Sequence, residues 1–232
     1  MAYEWHQHKN AAVAAEALAD AVAEKLHTVL AQQEHAVLAV SGGRSPIAFF
    51  EALSQKDLDW PRVYITLVDE RIVPTDHADS NTALVHQYLL QNKAKAAGWL
   101  PLVEADLKAE ALQPEAVVQT ALKHYRRRDV LVLGMGGDGH TASLFPQAPQ
   151  LDQGLDEKNE IPLLHTTPVT AAHERISMTL NAIAETPAVF LAIQGGDKKN
   201  IFEQAAVAPS KQFPISYVLN HEKVNCHVHY SD

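Results

Sequence analysis

The chain has 232 residues, 47% of them hydrophobic and 20% charged, with a formal charge of −9. That composition supplies a core and argues against a disordered chain, while the acidic balance argues against nucleic acid, whose backbone calls for a basic face. The longest apolar runs, such as Ala36–Val40 and Val130–Leu133, fall far short of the ~20 residues of a membrane span, and the single cysteine, Cys226, leaves no intramolecular disulfide and no cysteine-based metal cluster.

Ala11 to about Gln33 is alanine-rich, with Val13, Leu18, Val22, Leu26 and Leu30 mostly four or five residues apart, and predicts a helix. Ala36–Val40 is wholly apolar and ends at Ser41-Gly42-Gly43, as a strand buried on both faces does. Ser45 before Pro46 predicts a helix with a serine N-cap and proline at its first position, carrying Phe49, Phe50 and Leu53. Val63–Val68 predicts a strand with Asp69-Glu70-Arg71 at its C-terminal end. Ser80 can cap a helix through Leu90, and Pro114 opens another through Tyr125. The run Arg126-Arg127-Arg128 that follows reads as a solvated helix cap.

Asp129–Leu133 predicts a strand running into Gly134. The stretch from Pro146 to Pro168 holds four of the twelve prolines and reads as a long irregular crossing, either a lid or a surface excursion. Ile176–Leu180 alternates as a half-exposed strand would. Val189–Ile193 predicts a buried strand, followed by Gly195-Gly196 and a helix to about Ala206. Ile215–Leu219 and Cys226–Tyr230 read as closing strands. Strand, glycine-bearing turn and helix recur at the spacing of βαβ units, so the fold class is α/β: one domain over residues 1–232, with a mostly parallel sheet and helices on both faces. Ligands in such sheets bind outside the carboxyl ends of the strands.

Every chemically suggestive segment falls at such an end. Ser41-Gly42-Gly43-Arg44-Ser45-Pro46 offers backbone N–H groups, two hydroxyls and a cation to an anion, or is an ordinary tight turn. Gly134-Met135-Gly136-Gly137-Asp138-Gly139 satisfies the glycine spacing of a dinucleotide site. Pro146 arrives seven residues after Gly139, however, and no second strand ending in an acid follows, so that reading fails on context. What remains is a glycine-walled loop presenting His140, in the manner of a general base. The other histidines are expected mostly at the surface, without metal-ligand spacing. Asp69-Glu70-Arg71 is either a site segment or a plain salt cluster. Arg44, Arg71, Arg175 and Lys198 could together make a local positive site suited to a small anion. Cys226 reads as a core residue.

At these residues the chain resembles the 6-phosphogluconolactonases, which share a fold with glucosamine-6-phosphate deaminase and ribose-5-phosphate isomerase. The matching segments are Ser41–Pro46, Asp69-Glu70-Arg71 with Ser80-Asn81, Gly134 through Pro146, Arg175–Thr179 and Gly195 to Lys198. They occur in family order from about Ser41 to Lys198, and Asp138–Pro146 is the most specific of them. The resemblance implies hydrolysis of 6-phosphoglucono-δ-lactone to 6-phosphogluconate in the pentose phosphate pathway, with no metal and no organic cofactor. It places the catalytic histidine on His140 and phosphate-side cations on Arg71 and Lys198, with Arg44 and Arg175 beside them. The expected substrate contacts are Gly42, Gly43, Arg44, Ser45, Asp69, Arg71, Gly136, Gly137, Arg175 and Lys198, and Asp138 or Asp69 is the partner expected to orient the imidazole.

The expected protein is a cytoplasmic monomer acting on a sugar phosphate, bound to neither nucleic acid nor membrane. Two other readings stay open. One is a sugar-phosphate isomerase or aminosugar-phosphate deaminase, in which Asp69 or Asp138 would be a second base. The other is a non-catalytic sugar-phosphate sensor.

Overall fold

In the computed structural model, which describes residues 3–232, strands and helices alternate along the chain. They are β1 (Tyr3–His8), α1 (Ala11–Leu30), β2 (Ala36–Val40), α2 (Ile47–Ser54), β3 (Val63–Leu67), β4 (Asp69–Arg71), α3 (Asn81–Tyr88), β5 (Gly98–Trp99), α4 (Pro114–Lys123), β6 (Val130–Gly134), α5 (Leu151–Leu155), β7 (Leu163–Thr166), β8 (Arg175–Met178), α6 (Leu180–Ala184), β9 (Ala188–Gln194), α7 (Gly196–Ala205), α8 (Ile215–Leu219) and β10 (Cys226–Ser231). Seven strands form a parallel sheet in the order β1-β10-β9-β6-β2-β3-β5, flanked by helices. β4, β8 and β7 make a small antiparallel sheet. The central strands read as continuous apolar runs because both of their faces are covered: every residue of β2 is buried, as are the first four of β6.

The order of strands creates a switch point. From β2 the chain continues to β3 on one side, while the strand on its other side, β6, leads on to β9 and β10. A crevice opens at the carboxyl ends where connections diverge in this way. The second sheet closes one wall of it. After Leu67 the chain leaves the main sheet through Val68, whose N–H still donates to Val40 O (3.0 Å) and whose carbonyl accepts from Met178 N (2.8 Å). That handover turns Asp69-Glu70-Arg71 into β4, paired residue by residue with β8.

Several sequence expectations are corrected. Ile215–Leu219 is the helix α8, not a strand; a short apolar run carries no decisive period, and β10 already has β1 and β9 as its two neighbours. The alternating segment from Ile176 is buried on both faces rather than half-exposed. Its polar members are satisfied internally: Ser177 Oγ accepts from Ser143 N (3.0 Å) and donates to Met178 O (3.0 Å), while Thr179 caps α6. α2 begins at Ile47, with Pro46 at its N-cap and no side-chain cap, so Ser45 is not the capping residue. Within 146–168, α5 and β7 bury Leu151, Leu155, Leu163 and Leu164, which makes that segment part of the body and not a lid. Arg128 is buried, not solvated. Its guanidinium lies 4.2 Å over the Tyr125 ring, and burial lowers its pKa to about 10. Cys226 is fully buried, which pushes its thiol up to about 12.

Candidate active site

A cavity of about 570 Å³ occupies the switch point between the loops that follow β2 and β6. The two loops are tied together at the strand ends, where Gly134 N donates to Ser41 Oγ (3.0 Å). The β2 loop is tied in turn to α3: Gly43 N donates to Asn81 Oδ1 (3.3 Å), and Asn81 Nδ2 donates to Asp69 O (3.2 Å). Gly42 permits this close approach, since a Cβ there would lie 2.1 Å from the Asn81 side chain. Because Gly43 gives its N–H to Asn81, what the turn could offer an anion comes chiefly from Arg44 and Ser45, both exposed at the mouth.

His140 is built by its own loop. Gly136 N donates to His140 O (2.9 Å) and Gly139 N to Gly136 O (3.1 Å), folding the glycines back on themselves. The imidazole lies against Phe145, ring centroids 4.1 Å apart and 27° from parallel. Its Nδ1 is 2.5 Å from Asp138 Oδ1, which also accepts from His140 N (3.1 Å). Burial alone would raise the Asp138 carboxyl, but the hydrogen bond and charge of His140 outweigh it and hold the carboxyl below its ordinary value. An ionised carboxylate can only accept, so Nδ1 donates to it, and in the neutral ring Nε2 is then the lone-pair nitrogen.

The cationic wall comes from the small sheet and from α7. Arg71 and Arg175 stand directly opposite each other across β4 and β8, an arrangement of like charges that costs stability unless something answers it. Arg175 Nη2 donates to Ala172 O (2.9 Å), and its burial lowers its pKa, with Asp69 opposing that shift. Arg71 donates to the carbonyl of Asp79, while its Nε is buried without a partner. Lys198, in the first turn of α7, has no carboxylate partner among the described residues, and burial lowers its pKa.

Glu70, between Asp69 and Arg71, is fully buried. It accepts from Arg71 N (2.7 Å), Asn81 N (2.8 Å), Thr82 N (2.6 Å) and Ser80 Oγ (3.1 Å). It therefore joins β4 to the start of α3 and fixes the backbone that carries Arg71. Burial raises its pKa, partly offset by these donors. The plain salt-cluster reading of Asp69-Glu70-Arg71 does not survive this burial.

Of the expected residues, Gly42, Gly43, Arg44, Ser45, Asp69, Arg71, Gly136, His140, Arg175 and Lys198 line one cavity; Gly137 and Asp138 do not. Asp138 reaches the cavity only through His140. Asp69 is not the partner of the imidazole: its carboxylate accepts from Ser143 Oγ at 2.6 Å. The sequence reading missed Gln194 and His229, which also line the cavity, and the bracing roles of Glu70 and Asn81. No periodicity marks these residues. Among the described residues, two groups bring three histidine or carboxylate donors within 4.8 Å of one another, Glu4–His6–His227 and His77–Asp79–His173, and neither lines the cavity.

Residues 9–227 match the family described as glucosamine-6-phosphate isomerases/6-phosphogluconolactonase. A 6-phosphogluconolactonase of Neisseria meningitidis serogroup A is 62% identical over 230 residues, covering 99% of this chain and all of the relative. One from Helicobacter pylori is 38% identical over 232 residues, covering all of this chain and 99% of the relative. The crystal structure of a Neisseria gonorrhoeae protein assigned to the same enzymes superposes with a TM-score of 0.98 at 63% identity, over 99% of this chain and all of that one. The fold is shared more widely: a monomeric glucosamine-6-phosphate deaminase superposes with a TM-score of 0.78 at 15% identity, over 98% and 97% of the two chains. The chain thus belongs to the glucosamine-6-phosphate isomerase/6-phosphogluconolactonase family and groups within it with the 6-phosphogluconolactonases.

Proposed function

We propose that the chain hydrolyses 6-phosphoglucono-δ-lactone to 6-phosphogluconate with His140 as general base, without a metal at the reacting atoms, as a monomer in the cytoplasm. The observation that carries the chemistry is the Asp138–His140 pair, 2.5 Å apart, set beside a cavity walled by Arg44, Arg71, Arg175 and Lys198. The names of the relatives supply the substrate. No described helix is long and apolar enough to cross a membrane. Large apolar side chains are seldom exposed among the described residues, Val13, Ile161, Val169 and Val207 being the instances, which favours a monomer.

The 6-phosphate, a dianion, sits against the Arg71–Arg175 pair and the Arg44-Ser45 turn, which answers the charge that opposes the two arginines. Nε2 of neutral His140 takes a proton from water as the water oxygen bonds to the lactone carbonyl carbon. The oxyanion that forms is held by loop N–H groups near Gly136–Gly139 or by one of the cations. When the bond between that carbon and the ring oxygen breaks, His140 returns its proton to the ring oxygen, leaving an open-chain acid. Asp138 keeps the ring in the correct tautomer and stabilises the imidazolium.

Proton shuttling between sugar carbons would need a further free carboxylate base. The two carboxylates expected in that role are both engaged, Asp138 by His140 and Asp69 by Ser143. The test is a coupled assay in which one dehydrogenase forms the lactone in situ and a second reports its opening, with chelator present and an enzyme-free blank. Acceleration well above the blank supports the reading. A trace lying on the blank with folded protein, together with exchange at C2 of a hexose phosphate, overturns it in favour of the isomerase or deaminase chemistry.

A further inference from the structure

The histidines fall on one face of two neighbouring strands. β1 and β10 run parallel in a register that pairs Glu4 with His227, His6 with His229 and His8 with Ser231. Side chains alternate across a strand, so Glu4, His6 and His8 share a face with His227 and His229. Tyr3 and Trp5 point the other way and meet Phe202 of α7, at centroid distances of 5.0 and 5.1 Å.

Within the cluster, Glu4 Oε2 lies 3.2 Å from His227 Nδ1 and 3.9 Å from His6 Nε2, and the three donors are mutually within 4.8 Å. Asn225 Nδ2 donates to the other oxygen of Glu4 (3.1 Å), which orients Oε2 toward the imidazoles. The His6 and His227 rings are nearly parallel, 19° apart. Zinc-class ions bind histidine nitrogen and carboxylate oxygen at about 2.0–2.2 Å, so their ligand atoms stand roughly 3–4 Å apart. The Glu4 and His6 side chains are 54% and 41% exposed, free to draw in by that difference.

We propose that Glu4, His6 and His227 bind one divalent transition-metal ion of the zinc class, with water completing its shell, and so clasp β1 to β10. Two imidazoles and one carboxylate suit such an ion better than calcium or magnesium, which take oxygen donors. His229, 4.9 Å from His6 between ring centroids, is engaged by His8 (Nε2 to Nδ1, 3.1 Å) and stands beside the site rather than in it. Partial burial already favours the neutral, lone-pair form of His227. Lys25 of α1 is the cation facing Glu4 and His227; it is exposed and can turn to solvent.

The ion would act on stability rather than on the reaction. Among the described residues β1 is an edge strand paired with β10 alone. The cavity is first reached at His229, two residues beyond His227 and so roughly 7 Å further along the strand.

The test is titration of Zn2+ into the chelator-stripped full chain by calorimetry, with thermal melts alongside. The expected result is one equivalent bound at micromolar affinity or tighter and a rise in Tm of several degrees. Glu4→Gln, His6→Ala and His227→Ala should each weaken binding at least tenfold and remove the rise in Tm, while melting like wild type in chelator. His140→Ala and His173→Ala should bind as wild type does, and kcat should be the same with chelator, with Zn2+ and in His6→Ala. The absence of saturable binding overturns the proposal. So does binding that survives His6→Ala and His227→Ala, or that is lost instead in His140→Ala or His173→Ala.

Discussion

Replacing Gly136 by alanine moves the proposed catalytic ring without touching a charge. A Cβ at that position lies 2.1 Å from both Cε1 and Nδ1 of His140 and 2.8 Å from Asp138 Oδ1. Ordinary contact begins at 3.4 Å, so going from 2.1 Å requires the ring to retreat by at least 1.3 Å. Misplacing a reacting group by about 1 Å costs on the order of 10²-fold. Breaking its contact with Asp138 extends the loss toward the full value of general-base assistance, 10²–10⁴-fold or about 3–5 kcal/mol. The cations sit on other elements, so KM should stay within a few-fold of wild type. The assay is initial rate above the blank with lactone generated in situ, with Tm and 6-phosphogluconate binding measured on the same preparation. A folded Gly136→Ala variant with kcat within threefold of wild type would refute the reasoning, because the ring would then have room that the geometry denies it.

Asp138→Asn should lower kcat by about 10²–10⁴-fold by freeing the tautomer of His140. Because the folded Asp138 carboxyl lies below its ordinary value, its contribution to stability is present above about pH 4 and lost as pH falls through the lower folded value; the Tm difference between wild type and Asp138→Asn should therefore shrink on acidification, and a difference independent of pH would contradict the pairing. Arg71→Ala should raise KM for the phosphorylated lactone by roughly 10–100-fold with a smaller effect on kcat, as expected for a lost charge-assisted contact of about 1.5–3 kcal/mol, and an unchanged KM moves Arg71 out of the phosphate site. Glu70→Gln turns an amide N–H₂ toward donors, leaving at least one buried group unsatisfied at about 1–3 kcal/mol; Tm should fall and KM rise together, and a raised KM without loss of Tm would mean that Glu70 acts by charge instead of by bracing.

The strands and the site loops were legible for one reason: β2, β6 and β9 are buried along most of their length, so their apolar runs stop abruptly at glycine or one residue short of it. The motif residues that follow therefore announced both their place and their neighbours. Illegible features depended on pairing across long separations. β1 carries Glu4 and three polar or titratable residues in six, and nothing local marks it as a strand until β10 lies beside it. β4 is three residues long and exists because β8 is there to pair with it. Asp69 and Asp138 were equivalent candidates by position, and the contacts that separate their roles, His140 with Asp138 at 2.5 Å and Ser143 with Asp69 at 2.6 Å, appear only in the fold. Glu70 looked like one charge in a salt cluster because sequence does not show that four donors from two segments surround it.

The central claim is that His140 performs the chemistry while the cations hold the phosphate, and His140→Ala separates the two. The measurement is the enzymatic rate above blank set against calorimetric binding of 6-phosphogluconate on the same preparation. The account predicts a kcat lower by about 10²–10⁴-fold with product affinity within a few-fold of wild type. Wild-type turnover in a folded His140→Ala protein would contradict it.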